Sequence, residues 1–571
     1  MNLWHAPYVG NWGAAAHSGS PAVFPRALPM NSSVALPGSK SLTNRYLVLA
    51  ALSDKPVSIA APLVARDTLL MVQALEALGV LVRHSHDRAW SVFPTPRLQG
   101  GRIDCGLAGT VMRFVPPLAA LAFGTSVIDG DPEARVRPLG AMVAGLRQLG
   151  VHVESDYGRS TAPLGIPAND ASNSAHLPLR IVGNGAVPGG VATIDASASS
   201  QFVSGLLLAA PRFTHGLDLR HSGAELPSLP HIRMTLALLR EAGVRVHEYD
   251  ASGAEIFPAA TAFSTAATPS VTATSGDDTP GAVHPNSDSA AVPSSATENL
   301  TAAAAENPAP AHPVRWVVEP GTVHLTDVEI EPDLSNAGPF LAAAMVCGGT
   351  VRISHWPAHT TQPGAQFPQI FEAMGGTARF IPDSTALPIS RRTHGSSAHT
   401  PSGTLEMSGP SGAIRPLDMN LHAVGELVPT IAAVAAYADG ESRLRDIGQL
   451  RGHETNRLTA LCTELAKIGV AAREEGDDLV ITPPRRGLAN TVNAPQYARD
   501  GVVIHSYADH RMATFGAILG LRVPGLSVDD ISTTAKTLPQ FPQRWANMIE
   551  QSETAWEREH ITANSGAQEL S

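Results

Sequence analysis

The chain is predicted to be an α/β protein assembled from a few large units, and three observations carry that prediction. A degenerate unit recurs, in which a helix end is followed by a glycine turn and a short strand. It stands at Leu75–Val82, Leu146–Val153 and Leu239–Val246, with looser copies at Phe371–Gly376 and Leu465–Val470. Glycine just past the last helical turn is the expected left-handed stop, and the copies lie about 70 to 130 residues apart, too far for a solenoid repeat. Polar clusters also stand directly before apolar, helix-like runs at several places. Finally, 571 residues of which 43% are hydrophobic are enough for more than one core.

Taken in order, the first informative element is Leu36-Pro37-Gly38-Ser39-Lys40-Ser41-Leu42-Thr43-Asn44-Arg45. It predicts a strand, a Pro-Gly turn and a helix over about 41–52, with Leu42, Tyr46, Leu49 and Leu52 at helical spacing. Only four lysines occur in the chain, Lys40, Lys55, Lys467 and Lys536, so a lysine retained here suggests a need for a compact ammonium. A nucleotide-binding P-loop is excluded by spacing, because Ser39 separates Gly38 from Lys40. Further polar clusters precede the apolar runs Val111–Phe123, Phe202–Ala210, Leu427–Tyr437, Leu458–Ile468 and Met512–Leu519. Each alone is what an ordinary N-cap requires. Converging, their dipoles would make one strongly anion-attracting cleft.

Residues 251–313 break the pattern. They are rich in Ala, Ser, Thr and Pro with scattered acids, which predicts a disordered insertion. A second polar patch, about 384–403, reads as a long loop, and residues 1–30 and 552–571 as loose ends. With 40 basic against 51 acidic side chains, the chain implies no global nucleic-acid surface. Three scattered cysteines, Cys105, Cys347 and Cys462, argue against a disulfide framework and for a reducing compartment. No signal peptide and no membrane span are evident, so a cytoplasmic protein is expected.

Several motifs together resemble one family, the enolpyruvyl transferases that make 5-enolpyruvylshikimate 3-phosphate. The segment from Leu36 to Arg45 resembles its first signature and Leu107-Ala-Gly109-Thr-Val-Met-Arg113 its second. Arg137 follows Asp131-Pro132 where the family has a phosphoenolpyruvate-binding arginine, and Arg suits that role because its fork meets carboxylate or phosphate in two bonds. Ser199, Ser200, Gln201 and Ser228 match groups that hold the phosphorylated ring. Arg457 in His453-Glu-Thr-Asn-Arg457, Arg511 in Asp509-His-Arg511-Met, and Lys536 in Thr534-Ala-Lys536-Thr match phosphoenolpyruvate ligands. The zinc motif that His453-Glu454 invites fails, because Arg457 stands where a second histidine is needed. The resemblance spans about residues 34 to 550 in order, with three departures. Glu426 stands for the usual aspartate, His453 for a lysine and Leu107 for an asparagine.

The resemblance implies two similar domains of three βαβαββ units each, an inside-out α/β barrel type, closing over substrate. On this chain that places one domain at 1–37 plus 330–550 and the other at 38–329 with the insertion, leaving 551–571 as a tail. It further implies Glu426, Lys40 and His453 as catalytic residues. Shikimate 3-phosphate would be bound by Lys40, Ser41, Arg45, Ser199, Ser200, Gln201, Ser228, Glu426 and His453. Phosphoenolpyruvate would be bound by Lys40, Gly109, Arg137, Gln201, Arg457, Arg511 and Lys536. No cofactor and no metal are implied; the partners are the two small substrates, not nucleic acid or membrane, and a glyphosate-sensitive monomer is expected. Within the fold the rival is the transferase acting on UDP-N-acetylglucosamine, which carries a loop cysteine that Arg135–Gly140 lacks. Outside catalysis the rival is a scaffold or anion-binding protein.

Overall fold

The computed structural model describes residues 3–10, 27–84, 89–156, 175–256, 313–383, 401–484 and 501–568. Among the described residues, five sheets have four strands and a sixth has three. The unit over residues 102–184 shows the plan. Arg102–Asp104 runs parallel to Phe123–Asp129 across the helix Gly109–Ala120. After the helix Gly140–Gln148, the strands His152–Glu154 and Leu179–Asn184 add antiparallel, the later one inserting next to Phe123–Asp129. The same βαβαββ order builds the sheets at 190–318 and 418–482. Two sheets are completed by strands distant in the chain: Val328–Glu329 pairs with Val57–Ala60, and Met30–Val34 with Gly349–Pro357, both in parallel. The three-stranded sheet joins Val502–Ile504 and Leu526–Val528 to the N-terminal pair Trp4–His5.

Why the repeat forms is local chemistry. The five glycines that stop its helices, Gly79, Gly150, Gly243, Gly375 and Gly469, all have positive φ, between 77° and 103°, conformations that cost a residue without Cβ little. Each is followed within a few residues by an edge strand of its own sheet.

Helices, not sheets, fill the middle. Lys40–Leu52, Gly109–Ala120 and Ser200–Ala209 are buried on nearly every side and pack on one another. Leu334–Cys347, Val428–Ala435 and His510–Gly520 do the same in the other half. A helix apolar all round is a core helix, and close approach is enforced at Gly205, where a Cβ would run into the Arg113 carbonyl oxygen. Two separate hydrophobic clusters result. One takes buried residues from Leu42 to Ile330, the other from Val9 to Val34 and from Leu334 to Ile549.

Several expectations need correcting. The ends are not loose where described: Trp4–His5 pairs in a sheet, Val9 and Leu28 are buried, and the last helix runs unbroken from Phe541 to Gln568, past 550. Residues 251–256 close a turn on the strand Val246–Asp250, with Ile256 N–H donating to the Glu248 carbonyl at 2.7 Å, and Pro313 already begins a strand. The rest of the insertion, and 384–400 of the second polar patch, lie outside the described residues, while Ser402 and Gly403 belong to a strand. The helix expected at 427–437 is a 3-10 turn, His422–Leu427, followed by Val428–Ala435.

Candidate active site

The N-termini do converge. A cavity of about 150 Å³ is walled by the starts of the helices at Lys40, Gly109, Ser200, Leu229 and Leu334 and by the segments leading into those at Arg457 and His510. Each brings unpaired N–H groups and the positive end of its dipole to one place. Four of the caps are polar side chains closing on their own helix: Ser199 accepts from Gln201 N–H, Asp333 from Asn336 N–H, Asn456 from Thr459 N–H and Asp509 from Arg511 N–H.

Of the residues expected from sequence, Lys40, Ser41, Gly109, Arg137, Ser199, Ser200, Gln201, Ser228, Glu426, His453, Arg457, Arg511 and Lys536 all line this cavity. Arg45 does not. It is 1% exposed, one turn down the first helix, and its guanidinium donates to Thr235 Oγ1 at 2.8 Å and to the His231 and Ser41 carbonyls at 3.0 and 3.1 Å. Burial lowers its pKa to about 9, and its geometry braces the wall.

One side of the cavity is a network of matched charges. Asp509 grips Arg457 in two bonds, 2.7 and 3.1 Å long, with both side chains buried. Glu454 accepts from Lys536 Nζ at 2.6 Å and pairs with His510 Nδ1 at 3.2 Å. Lys536, His510 and Arg457 hold the Glu454 carboxyl well below the usual range against its burial. Glu454, Asp509 and His510 bring ligand-type atoms within 4.8 Å of one another, yet Lys536 and Arg457 already supply the balancing charge. His453 Nδ1 faces Arg457 Nη1 at 3.3 Å. Burial, then Arg457, depress its pKa to about 3. The imidazole is therefore neutral near pH 7.

A second set of cavity residues is under-satisfied. Neither oxygen of Glu426 accepts a hydrogen bond from any described residue, and its nearest charge partner is His231 Nε2 at 3.6 Å. Burial depresses the His231 pKa to about 4, so it too is neutral. Gln201 Oε1 is likewise buried without a partner. A Cβ on Gly109 would sit 3.3 Å from that oxygen and 3.6 Å from Arg137 Nη1. Buried polar atoms are normally paired, so these unpaired ones stand out in the cavity wall. Lys40 Nζ is 3.3 Å from Asp67 Oδ2.

Sequence reasoning missed Glu454, His231, Asp67 and Asp333. Glu454 was visible beside His453 but was weighed only against a zinc motif; His231 follows Ser228 by less than a turn and carried no signal of its own.

Taken together, fold and site define a class: an α/β protein of two similar halves whose helix N-termini and basic side chains line one cavity. Comparison with known proteins makes the class particular. The family model for EPSP synthase (3-phosphoshikimate 1-carboxyvinyltransferase) matches residues 26–271 and 305–545. The chain is 44% identical over 539 residues, 93% of this chain and 96% of the relative, to a 3-phosphoshikimate 1-carboxyvinyltransferase of Kocuria rhizophila. It belongs to the EPSP synthase family. Two solved EPSP synthase structures from Acinetobacter baumannii share the fold. One has a TM-score of 0.62 at 17% identity over 92% of this chain and 97% of that one. The other has 0.60 at 18% over 90% and 96%. The family match omits residues 272–304, which lie inside the compositional anomaly.

Proposed function

We propose that this chain transfers the enolpyruvyl group of phosphoenolpyruvate to the 5-hydroxyl of shikimate 3-phosphate, releasing phosphate, as the reaction of the shikimate route to aromatic amino acids. The carrying observation is the convergence on one cavity of Lys40, Arg137, Arg457, Arg511 and Lys536 with helix N-termini and a single unpaired carboxylate, Glu426. Two polyanionic substrates need that many preorganised donors. Arg137, Arg457, Arg511 and Lys536 hold phosphoenolpyruvate; Ser41, Ser199, Ser200, Ser228 and Gln201 hold the sugar phosphate and ring hydroxyls.

In the reaction, a proton adds to the methylene carbon, C2 becomes electrophilic and the 5-hydroxyl attacks. The tetrahedral adduct then loses phosphate and a proton. Glu426 shuttles the proton, because its carboxylate is buried, faces the cavity and makes no competing hydrogen bond. Lys40 stabilises the oxygens that gain charge. His453, neutral, accepts rather than donates toward Arg457.

The division at 37/38 and 329/330 into two closing domains belongs to the same proposal. It is supported by the two separate hydrophobic clusters, between which the chain crosses at 35–41 and 331–333. The working state is a cytoplasmic monomer without nucleic-acid or membrane partners and a target of glyphosate. Supporting observations are three free cysteines and, among the described residues, no helix long and apolar enough to cross a membrane.

Phosphate release from phosphoenolpyruvate is measured with shikimate 3-phosphate and, separately, with UDP-N-acetylglucosamine. Release with the first alone is expected. Release only with the second, or with neither, sinks the proposal.

A further inference from the structure

The third of the four lysines is outside the cavity and has a different task. Lys467 ends the helix that Arg457 begins, and its Nζ donates to Glu464 Oε2 at 2.6 Å and to the Val503 carbonyl at 2.9 Å. The Glu464 side chain is 0% exposed. It accepts two further hydrogen bonds, from the Tyr507 hydroxyl at 2.6 Å and from His505 N–H at 3.1 Å. A buried carboxylate is tolerated only when paired and fully hydrogen-bonded, and this one accepts from Lys467 on its own helix and from two residues of one short segment.

That segment is strained. Tyr507 and Ala508 both have φ +55°, two successive non-glycine residues in the left-handed region, where L-residues are disfavoured and persist only when their surroundings fix them. Asp529 anchors the residues just before the pair, accepting from Ser506 N–H and facing His505 Nδ1, each at 2.8 Å. Directly after the strained pair comes Asp509, whose N–H donates to the Ser506 carbonyl at 2.8 Å and whose carboxylate holds Arg457 and the Arg511 N–H. Neither Glu464 nor Tyr507 lines the cavity.

We propose that Lys467, Glu464 and Tyr507 form a clamp that holds the two left-handed residues in place. The clamp thereby fixes Asp509 and, through it, Arg457 and Arg511 in the geometry that binds phosphoenolpyruvate. These are positioning residues, and the inference rests on the cavity being the site assigned above. Burial and Glu464 hold the Tyr507 phenol above its usual range, so it stays a donor throughout the neutral range. Glu464 is the acceptor that Lys467 and Tyr507 share.

The test uses Tyr507→Phe, which removes one hydroxyl from a side chain that is 37% exposed and so spares the core. Lys467→Met is paired with Lys467→Arg, which keeps a donor. Hydrogen–deuterium exchange, which needs no substrate, is expected to speed about tenfold over residues 505–513 in Tyr507→Phe and Lys467→Met and nowhere else. That is the effect of losing one hydrogen bond to a charged group. In turnover, the KM for phosphoenolpyruvate should rise about tenfold, with kcat moving less. The KM for shikimate 3-phosphate should stay within about twofold. Lys467→Arg should keep most of the parent behaviour. Unchanged exchange over 505–513, or both KM values rising together, overturns the clamp. A parent that is inert with both substrates overturns the reaction instead, and the exchange result still decides the clamp.

Discussion

Two sets of residues in the cavity are built on opposite principles. Arg457, Lys536 and His510 each have a partner: Asp509 in two bonds, Glu454 in two more. Around Glu426, Gln201 and His231 the polar atoms are just as buried, yet Glu426 and Gln201 Oε1 make no hydrogen bond. The first set is a finished scaffold whose cost is met inside the protein. The second carries desolvated groups that, in the function proposed here, the substrates satisfy, and such groups are worth most at the moment charge moves. A site can thus be rigid in one place and unsatisfied in another, each for a reason of its own.

The sharpest way to break this contrast is to neutralise the unsatisfied set. Glu426→Gln should leave the fold and substrate binding intact while lowering kcat roughly 10²–10⁴-fold, the range for general acid–base catalysis. Glu426→Asp should retain more activity. Near-normal steady-state turnover by the glutamine variant would place the proton chemistry at Lys40 and make Glu426 a structural residue.

In the satisfied set the loss should be of stability as well. Asp509→Asn leaves the Arg457 guanidinium buried without its counter-charge, and breaking such a pair costs roughly 3–5 kcal/mol. Denaturant unfolding checks it; a change within experimental error would mean the network is decorative.

The histidines sharpen the comparison through pH. His231 and His453 have folded pKa values of about 4 and 3 against an ordinary 6.5. Between these values the unfolded chain binds protons that the folded chain refuses. Their contribution is therefore intact above pH 6.5 and shrinks as pH falls toward 4, by roughly 1 kcal/mol per histidine per pH unit. His453→Gln and His231→Gln should each flatten the stability–pH curve in that window, measured by thermal melts from pH 7 to 4. An unchanged slope would show that the imidazoles are charged in the fold.

Smaller still is the effect expected at Gly109. Its added methyl would meet Arg113 Nη1 at 3.1 Å and Gln201 Oε1 at 3.3 Å, tight contacts that crowd a bulky inhibitor before a slim substrate. Gly109→Ala should raise the glyphosate inhibition constant about tenfold, as crowding of 1–3 kcal/mol implies, with a lesser rise in KM for phosphoenolpyruvate. Equal rises in both would remove the distinction. Replacing residues 257–312 by a short Gly/Ser bridge should change nothing, because the flanking strands Val246–Asp250 and Pro313–Val318 are antiparallel neighbours. Loss of turnover in a folded deletion variant would show that the insertion takes part.

Much of this was legible in the chain. The helix-stopping glycines mark the repeat because only they take positive φ cheaply, and the polar clusters mark helix starts because free N–H groups demand polar neighbours. The motifs, in order, carried the family and thirteen of the cavity-lining residues, since side chains adjacent in sequence to a helix start stay near it in space. Sequence could not say that those starts meet, that Arg45 turns inward to Thr235, that Glu454 is caught between Lys536 and His510, or that Glu464 reaches Tyr507. Each of these pairs residues dozens to hundreds of positions apart. Local propensity and spacing act over a few turns. Which charges end up buried together, and hence which are neutral, paired or left unsatisfied, is settled only when two halves of the chain fold against one cavity.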